Sequence, residues 1–152
     1  MESKIADVLI APLRRIPDER GMIMHMMRAD APHFEKFGEI YFATAYPGVI
    51  KAWHLHKSQT QNYVCIQGMI KLVLFDDREG SRTRGVIQEI FMGEDNYVLV
   101  RIPYGIINGW KCIGTKTALL ANCATEVHDP REMTRIDPFS KKIPYQWDIQ
   151  HG

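Results

Sequence analysis

Two histidines, His54 and His56, lie two residues apart in the segment 48–56, which is rich in β-branched and aromatic residues. Successive side chains of a strand alternate between its faces, so both imidazoles are predicted on the same face. An imidazole can act as a general base near neutral pH or bind a transition metal. Gln61 follows five residues later, and Gly68 fits a turn into the next strand. The segment is therefore a candidate centre for acid–base or metal chemistry.

Short strands are predicted to hold these histidines. Apolar segments separated by turn residues occur at 22–27, 40–46, 49–55, 63–66, 70–75, 86–92, 97–102, 105–112 and 117–124. The 3.6-residue periodicity of a long helix is absent, although residues 31–36 fit a single helical turn. Many short strands with Gly and Pro turns favour an all-β sandwich or barrel. A barrel of this size can hold one small ligand at its mouth.

Length and composition narrow the class of protein. The chain has 152 residues, which predicts a single domain over 1–152. Its 19 Lys and Arg against 18 Asp and Glu give a net charge of +1, so we expect neither nucleic-acid nor membrane binding. Three scattered cysteines without a C-x-x-C pair favour free thiols in a reducing compartment. The first residues lack a signal-peptide layout, which predicts a cytoplasmic protein.

The spacing of the central segment resembles a known motif. Residues 48–68 read G-x5-H-x-H-x4-Q-x6-G, similar to the first cupin motif with Gln61 in place of its Glu. Residues 103–108 read P-x-G-x2-N, similar to the second cupin motif with Asn108 in place of its His. The resemblance implies a cupin-type double-stranded β-helix, a jelly-roll barrel. Neutral amides are poor transition-metal ligands, so we expect no metal and no other cofactor.

Further pieces, in chain order, resemble one cupin family. They are D-E-R-G at 18–21, G-V-I-K-A-W-H at 48–54, S-R-T-R-G at 81–85, I-P-Y-G-I-I-N-G at 102–109, and D-P at 137–138 followed by Pro144 and Trp147. Together they make the chain similar to the dTDP-4-dehydrorhamnose 3,5-epimerase family, the metal-free cupins of deoxysugar biosynthesis. The resemblance implies a homodimeric epimerase that acts on a nucleoside-diphospho-4-keto-6-deoxysugar.

The resemblance also implies roles for residues. In that family a His backed by an Asp removes a proton next to the 4-keto group, and these positions match His54 and Asp137. The arginine of D-x-R-G, here Arg20, is implied to contact the diphosphate, often across the dimer interface. Lys51 stands where the family has Arg and is a second diphosphate candidate. Simple strand alternation, however, points Lys51 to the face opposite His54.

Three positions depart from the family pattern. Gln61 replaces its active-site Lys, Asn108 replaces the His of the P-x-G segment, and Val127 and His128 replace its two Tyr residues. The candidate acid is then His128 or Tyr104. Candidate hydrogen-bond donors to an enolate oxygen are the polar side chains that the motifs place on the cavity side: His56, Gln61 and Asn108.

These departures leave two other functions open. A cupin that binds a sugar nucleotide without catalysis is favoured by the changed Lys and Tyr positions. A metal-dependent cupin enzyme is favoured by the H-x-H pair. Two further interpretations concern single regions: the charged residues 76–79 are predicted to be a solvated loop, and Tyr41 is predicted to pack within its strand.

Overall fold

The computed structural model describes residues 2–152, and these residues form twelve β-strands. The strands are β1 (Leu9–Pro12), β2 (Arg15–Asp18), β3 (Gly21–Met24), β4 (Glu39–Ala45), β5 (Ile50–His56), β6 (Gln61–Gln67), β7 (Met69–Phe75), β8 (Ile87–Gly93), β9 (Val98–Ile102), β10 (Ile107–Ile113), β11 (Ala118–Ala124) and β12 (Met133–Arg135). The predicted all-β class is confirmed. Over residues 2–152 there is no helix with the length and apolar character needed to cross a membrane.

Ten strands form two antiparallel sheets that pack against each other. One sheet has the order β1-β9-β6-β11-β4 and the other β12-β5-β10-β7-β8, while β2 and β3 form a separate hairpin. Both sheets supply the main core, in which Tyr63 and Leu120 of the first sheet join Leu72 and Ile90 of the second. Burial of these side chains from both sides holds the sheets face to face.

The outer face of the second sheet is also buried. Alternate residues of its strands, such as Val73 of β7, point away from the barrel interior and pack with Trp53 and Trp147. Trp147 belongs to the segment that follows β12, so the end of the chain covers this sheet.

Several local predictions are wrong. Residues 22–27 were predicted as a strand, but β3 ends at Met24. Residues 31–34 form one turn, in which the Phe34 N–H donates to the Ala31 carbonyl, and residues 35–36 are irregular, so no helix forms here. The run 76–79 is not wholly solvated, because Asp76 is fully buried. Its carboxylate accepts hydrogen bonds that allow it to be buried, as described below.

A β-bulge between β5 and β10 decides which side chains face the barrel interior. His54 pairs with Asn108 and Lys51 with Trp110, so two residues of β5 lie opposite Gly109 alone. A Cβ atom at Gly109 would collide with the facing β5 side chain, so this position requires glycine. A bulge shifts the alternation of a strand by one residue. Lys51 and His54 therefore line the same cavity, and the prediction that Lys51 points away is wrong.

Candidate active site

A cavity of about 640 Å³ is lined by residues of both sheets. Strand β5 supplies Lys51, His54 and His56, and the neighbouring β12 supplies Arg135. The facing sheet supplies Tyr41 from its edge strand β4. The cavity is large enough for one small ligand and has polar groups on opposite walls.

His54 is the less constrained of the two cavity histidines on β5. Within residues 2–152 its ring makes no hydrogen bond to another side chain or to the backbone. Burial is the main cause that lowers the pKa of His54 to about 4, and the electrostatic influence of the neighbouring His56, Arg135 and Lys51 acts in the same direction. At neutral pH the ring is therefore uncharged, and it can accept a proton from a bound ligand.

His56, by contrast, is held at both ring nitrogens. Its Nδ1 lies 2.5 Å from Oε1 of Glu132, and its Nε2 lies 2.5 Å from Nε2 of Gln61. An ionised carboxylate only accepts, so Nδ1 carries the proton and donates to Glu132. The Gln61 amide then donates to Nε2, and a second amide hydrogen goes to Oε1 of Gln59 at 3.2 Å. This network fixes the ring and its tautomer.

Glu132 is anchored by the turn that follows β5. Its Oε2 accepts the backbone N–H groups of Lys57, Ser58 and Gln59 at 3.1, 3.2 and 3.3 Å. Burial raises the pKa of Glu132, but the hydrogen bonds from His56 and from the backbone outweigh that effect, so the pKa is lowered. Glu132 thus stays ionised and orients His56.

The structure brings five of the nine sequence-predicted site residues to the cavity. They are Lys51, His54, His56, Gln61 and His128. The other four lie elsewhere. Arg20 is at the tip of the exposed β2–β3 hairpin, where its Nη2 donates to Asp18 Oδ2 at 2.6 Å. Tyr104 is 57% exposed and outside the cavity lining.

Asn108 and Asp137 also lie outside the cavity lining. Asn108 is fully buried, and its Oδ1 accepts the hydroxyl of Tyr63 at 3.4 Å. This bond joins the two sheets behind the cavity. Asp137 is exposed, and its Oδ1 accepts the Phe139 N–H at 2.8 Å. Across residues 2–152 no hydrogen bond connects Asp137 with His54.

Three cavity residues that matter for the proposals below were not predicted from the sequence. Arg135 ends the three-residue strand β12, and Glu132 immediately precedes this strand. The segment is too short to show the apolar alternation from which a strand is predicted. Tyr41 was predicted as strand packing, but it lines the cavity and is 40% exposed. The available signal was that β4 ends only two residues before the G-V-I-K-A-W-H segment.

The donor set does not form a metal cluster. In the part of the chain that the structure describes, no group of three or more His, Cys, Asp or Glu side chains is arranged to hold a metal ion. Both ring nitrogens of His56 already have partners within the protein.

Known proteins resemble this chain along nearly all of its length. A sequence model of the dTDP-4-dehydrorhamnose 3,5-epimerase family matches residues 2–151. A probable low-salt glycan biosynthesis epimerase of Haloferax volcanii is 36% identical over 143 residues, covering 93% of this chain and 88% of that protein. The crystal structure of a dTDP sugar isomerase from Desulfovibrio desulfuricans is 39% identical, with a TM-score of 0.92, and covers 94% of this chain and 92% of that one.

A more distant structure shows the same fold. The 4-keto-6-deoxy sugar epimerase of the Streptomyces spheroides novobiocin cluster superposes with a TM-score of 0.87 at 19% identity, covering 97% of this chain and 78% of that one. The predicted cupin-type jelly roll is thereby confirmed. The chain belongs to the dTDP-4-dehydrorhamnose 3,5-epimerase family of sugar-nucleotide epimerases.

Proposed function

We propose that the protein is a metal-independent epimerase of a nucleoside-diphospho-4-keto-6-deoxysugar, with His54 as the base that removes a proton next to the 4-keto group. The observation that carries this proposal is an uncharged imidazole without a partner, facing a cavity lined by cations. A ketone acidifies the neighbouring C–H, so removal of that proton leaves an enolate whose charge lies on the C4 oxygen. A neutral base and nearby positive charges suit this step.

The two cations support binding of the diphosphate. Lys51 and Arg135 both line the cavity, and neither forms an ion pair within residues 2–152. The Lys51 Nζ lies 5.6 Å from the ring centroid of Trp110, which holds the lysine stem against the cavity wall. A guanidinium and an ammonium facing one cavity suit the oxygens of a diphosphate.

Substrate binding would also strengthen the base. Arg135 and Lys51 are among the charges that lower the pKa of His54. A bound diphosphate offsets these charges and thereby raises the pKa of His54 towards the working pH, where general-base catalysis is more effective. The free protein thus keeps His54 uncharged, and the correct ligand makes it a better proton acceptor.

Other residues near His54 take supporting roles in this proposal. The predicted residues His56 and Gln61, together with Glu132, form a fixed network beside His54, which shapes the wall on which the sugar lies. Asn108 supports that wall from behind through Tyr63. Asp137 as the orienting group stays a prediction from the family resemblance, and His128 or Tyr104 as the acid stays a prediction from the sequence.

We also infer a cytoplasmic homodimer. Met22 and Ile23 of the β2–β3 hairpin are 51% and 61% exposed, which favours burial against a second copy. In such a dimer Arg20, at the tip of this hairpin, would reach the partner's cavity. The three cysteines are all free and buried, which fits a reducing compartment. Loss of activity when the protein is diluted below its dimer dissociation constant would support the shared site, and unchanged specific activity in the monomer would contradict it.

The proposed function is tested with a substrate panel. The protein is treated with EDTA, its metal content is measured, and it is incubated with dTDP-, CDP- and GDP-linked 4-keto-6-deoxyhexoses. NMR then follows the configuration at C3 and C5. Epimer formation by metal-free protein with at least one donor is the expected result. Binding without epimer formation would favour the non-catalytic sugar-nucleotide binder, and activity only with stoichiometric metal would favour the metal-dependent enzyme.

A further inference from the structure

Tyr41 faces His54 from the opposite wall of the cavity. It lies on β4, at the edge of the sheet β1-β9-β6-β11-β4, whereas His54 lies on β5 of the facing sheet. Both side chains line the same cavity. A ligand held between the two sheets would therefore present one face to an imidazole and the other to a phenol.

The hydrogen bonds of Asn122 determine whether the Tyr41 hydroxyl accepts or donates a hydrogen bond at this contact. Asn122 is fully buried on β11, and its Oδ1 accepts the backbone N–H of Asn62 at 3.1 Å. A backbone N–H requires an acceptor, so the amide cannot be turned around. Its Nδ2 must then face Tyr41, and it donates to the Tyr41 hydroxyl oxygen at 3.0 Å.

The hydroxyl hydrogen of Tyr41 is consequently free. The oxygen already accepts from Asn122, and within residues 2–152 no acceptor takes the hydroxyl proton. Burial raises the pKa of Tyr41, although the hydrogen bond from Asn122 opposes this effect. The phenol therefore keeps its proton at neutral pH and can donate it into the cavity.

We propose that Tyr41 is the proton donor that completes inversion, a role that rests on the proposed epimerase function. His54 takes the proton from the carbon next to the ketone, and the C–H electron pair moves into the enolate with its charge on the C4 oxygen. The enolate electrons then form a new C–H bond with the Tyr41 proton on the opposite face, and the ketone returns. The tyrosinate and the imidazolium left behind return to their starting states by proton exchange with water.

Proton removal by His54 and proton delivery by Tyr41 from the opposite wall together explain inversion. A single base that returns the proton it took would restore the original configuration. Delivery from the other wall gives the other epimer. His128 also lines the cavity, but its side chain is exposed, and its described hydrogen bond runs from the backbone N–H to Glu39. Tyr41 is the better-positioned donor because a buried amide fixes its hydroxyl.

The test separates proton removal from inversion. Wild-type protein and Tyr41→Phe are incubated in D2O with a substrate that the wild type epimerises, and both deuterium gain and configuration are measured. Removal of a general acid costs about 10²- to 10⁴-fold. We expect Tyr41→Phe to keep His54-dependent deuterium exchange with retained configuration and to lose inversion at least about 100-fold. Tyr46→Phe, the same change at a 74% exposed tyrosine outside the cavity lining, is the matched control and should leave both rates unchanged.

Asn122→Asp provides a second test. The carboxylate would still accept from Asn62, but its other oxygen would accept the Tyr41 hydroxyl proton instead of donating to it. Inversion should fall again while exchange persists. Inversion at the wild-type rate in Tyr41→Phe, loss of both exchange and inversion in that variant, or selective loss of inversion in His128→Gln instead would overturn the assignment. A wild-type protein without any exchange would count against the proposed function itself.

Discussion

Two polar clusters of this barrel differ in how many of their side chains have hydrogen-bond or ion-pair partners within the protein. The first surrounds Asp76, which directly follows β7 and is fully buried. Its carboxylate accepts from Arg78 Nε at 3.0 Å, from Ser81 Oγ at 2.7 Å and from Thr83 Oγ1 at 2.7 Å. Burial opposes ionisation, but these hydrogen bonds outweigh it and hold the pKa of Asp76 well below its ordinary value.

The second cluster lines the cavity, and its polar groups lack partners within the described protein. We call it the open cluster and the one around Asp76 the closed cluster. The His54 ring, the Lys51 and Arg135 cations and the Tyr41 hydroxyl proton have no acceptor or ion-pair partner within residues 2–152. Buried or half-buried polar groups are normally paired inside the protein. A cluster that pairs all its members stabilises a loop, whereas one that leaves them open is arranged for a ligand.

The comparison also explains two of the family motifs. Residues 81–85 resemble a family element, yet the Ser81 and Thr83 side chains of this segment close the loop around Asp76. Residues 48–54 match a family element whose His54 and Lys51 stay available. Motif residues of the same polar character therefore serve either the loop or the reaction, and the hydrogen bonds distinguish the two uses.

The largest predicted effect concerns the open cluster. His54→Gln keeps the size and polarity of the side chain but removes the base. General-base removal costs about 10²- to 10⁴-fold, so epimerisation and deuterium exchange should fall by that factor. Because His54 has no partner to lose, the free energy of unfolding at pH 8 should change by less than about 0.5 kcal/mol. Steady-state kinetics and urea unfolding on the same preparation measure both.

The closed cluster should show the reverse behaviour. Asp76→Asn removes the charge that Arg78 faces and one acceptor of the loop. Breaking a buried pair costs about 3–5 kcal/mol, which should be visible in urea unfolding. For a chain of this size, about 2–4 °C per kcal/mol predicts a fall in Tm of roughly 6–20 °C. The kcat/KM of the folded variant should stay near the wild-type value, and a selective loss of kcat/KM would break the distinction between the two clusters.

The pH dependence of stability should also distinguish the open cluster. The pKa of His54 is about 4 in the folded protein and 6.5 in its reference state. The unfolded chain therefore binds the proton more readily, and stability is lost as pH falls from 6.5 to 4. At 1.36 kcal/mol per unit, His54 contributes at most about 3 kcal/mol to this loss. Wild type and His54→Gln should have similar free energies of unfolding at pH 8, whereas at pH 4 the wild type should have lost up to about 3 kcal/mol more than the variant. Curves that stay parallel from pH 8 to pH 4 would contradict this prediction.

A smaller effect is expected from a single cation. Arg135→Gln removes one diphosphate contact and one charge that lowers the pKa of His54. We expect KM to rise about 10-fold, equivalent to about 1.4 kcal/mol. The acidic limb of the kcat/KM profile, which reports the free enzyme, should move upwards from about pH 4. If KM rises but the acidic limb of the kcat/KM profile does not shift, Arg135 does not influence the pKa of His54.

The sequence predicted the elements with strong alternation and missed those without it. Strands β4 to β11 are rich in apolar and β-branched residues and were predicted nearly in place. The three-residue strand β12 lacks that signal, so Glu132 and Arg135 were not found. His54 and His56 were predicted on one face, and both line the cavity.

Non-local geometry accounts for the remaining differences. The bulge opposite Gly109 reverses the facing of Lys51, and only the pairing of β5 with β10 reveals it. The direction of the Tyr41 hydroxyl depends on Asn122, which is 81 residues away in sequence. Such partners are determined by the sheet order rather than by any local pattern.

Solvent deuterium exchange tests the central claim most directly. Metal-free wild type and His54→Gln are incubated in D2O with dTDP-4-keto-6-deoxyglucose and with the matching CDP and GDP compounds, and mass spectrometry counts the deuterons gained. We predict exchange next to the ketone in the wild type that is lost in His54→Gln; one deuteron would indicate proton removal at one carbon and two would indicate proton removal at both. Exchange that persists at the wild-type rate in His54→Gln would contradict the assignment of the base.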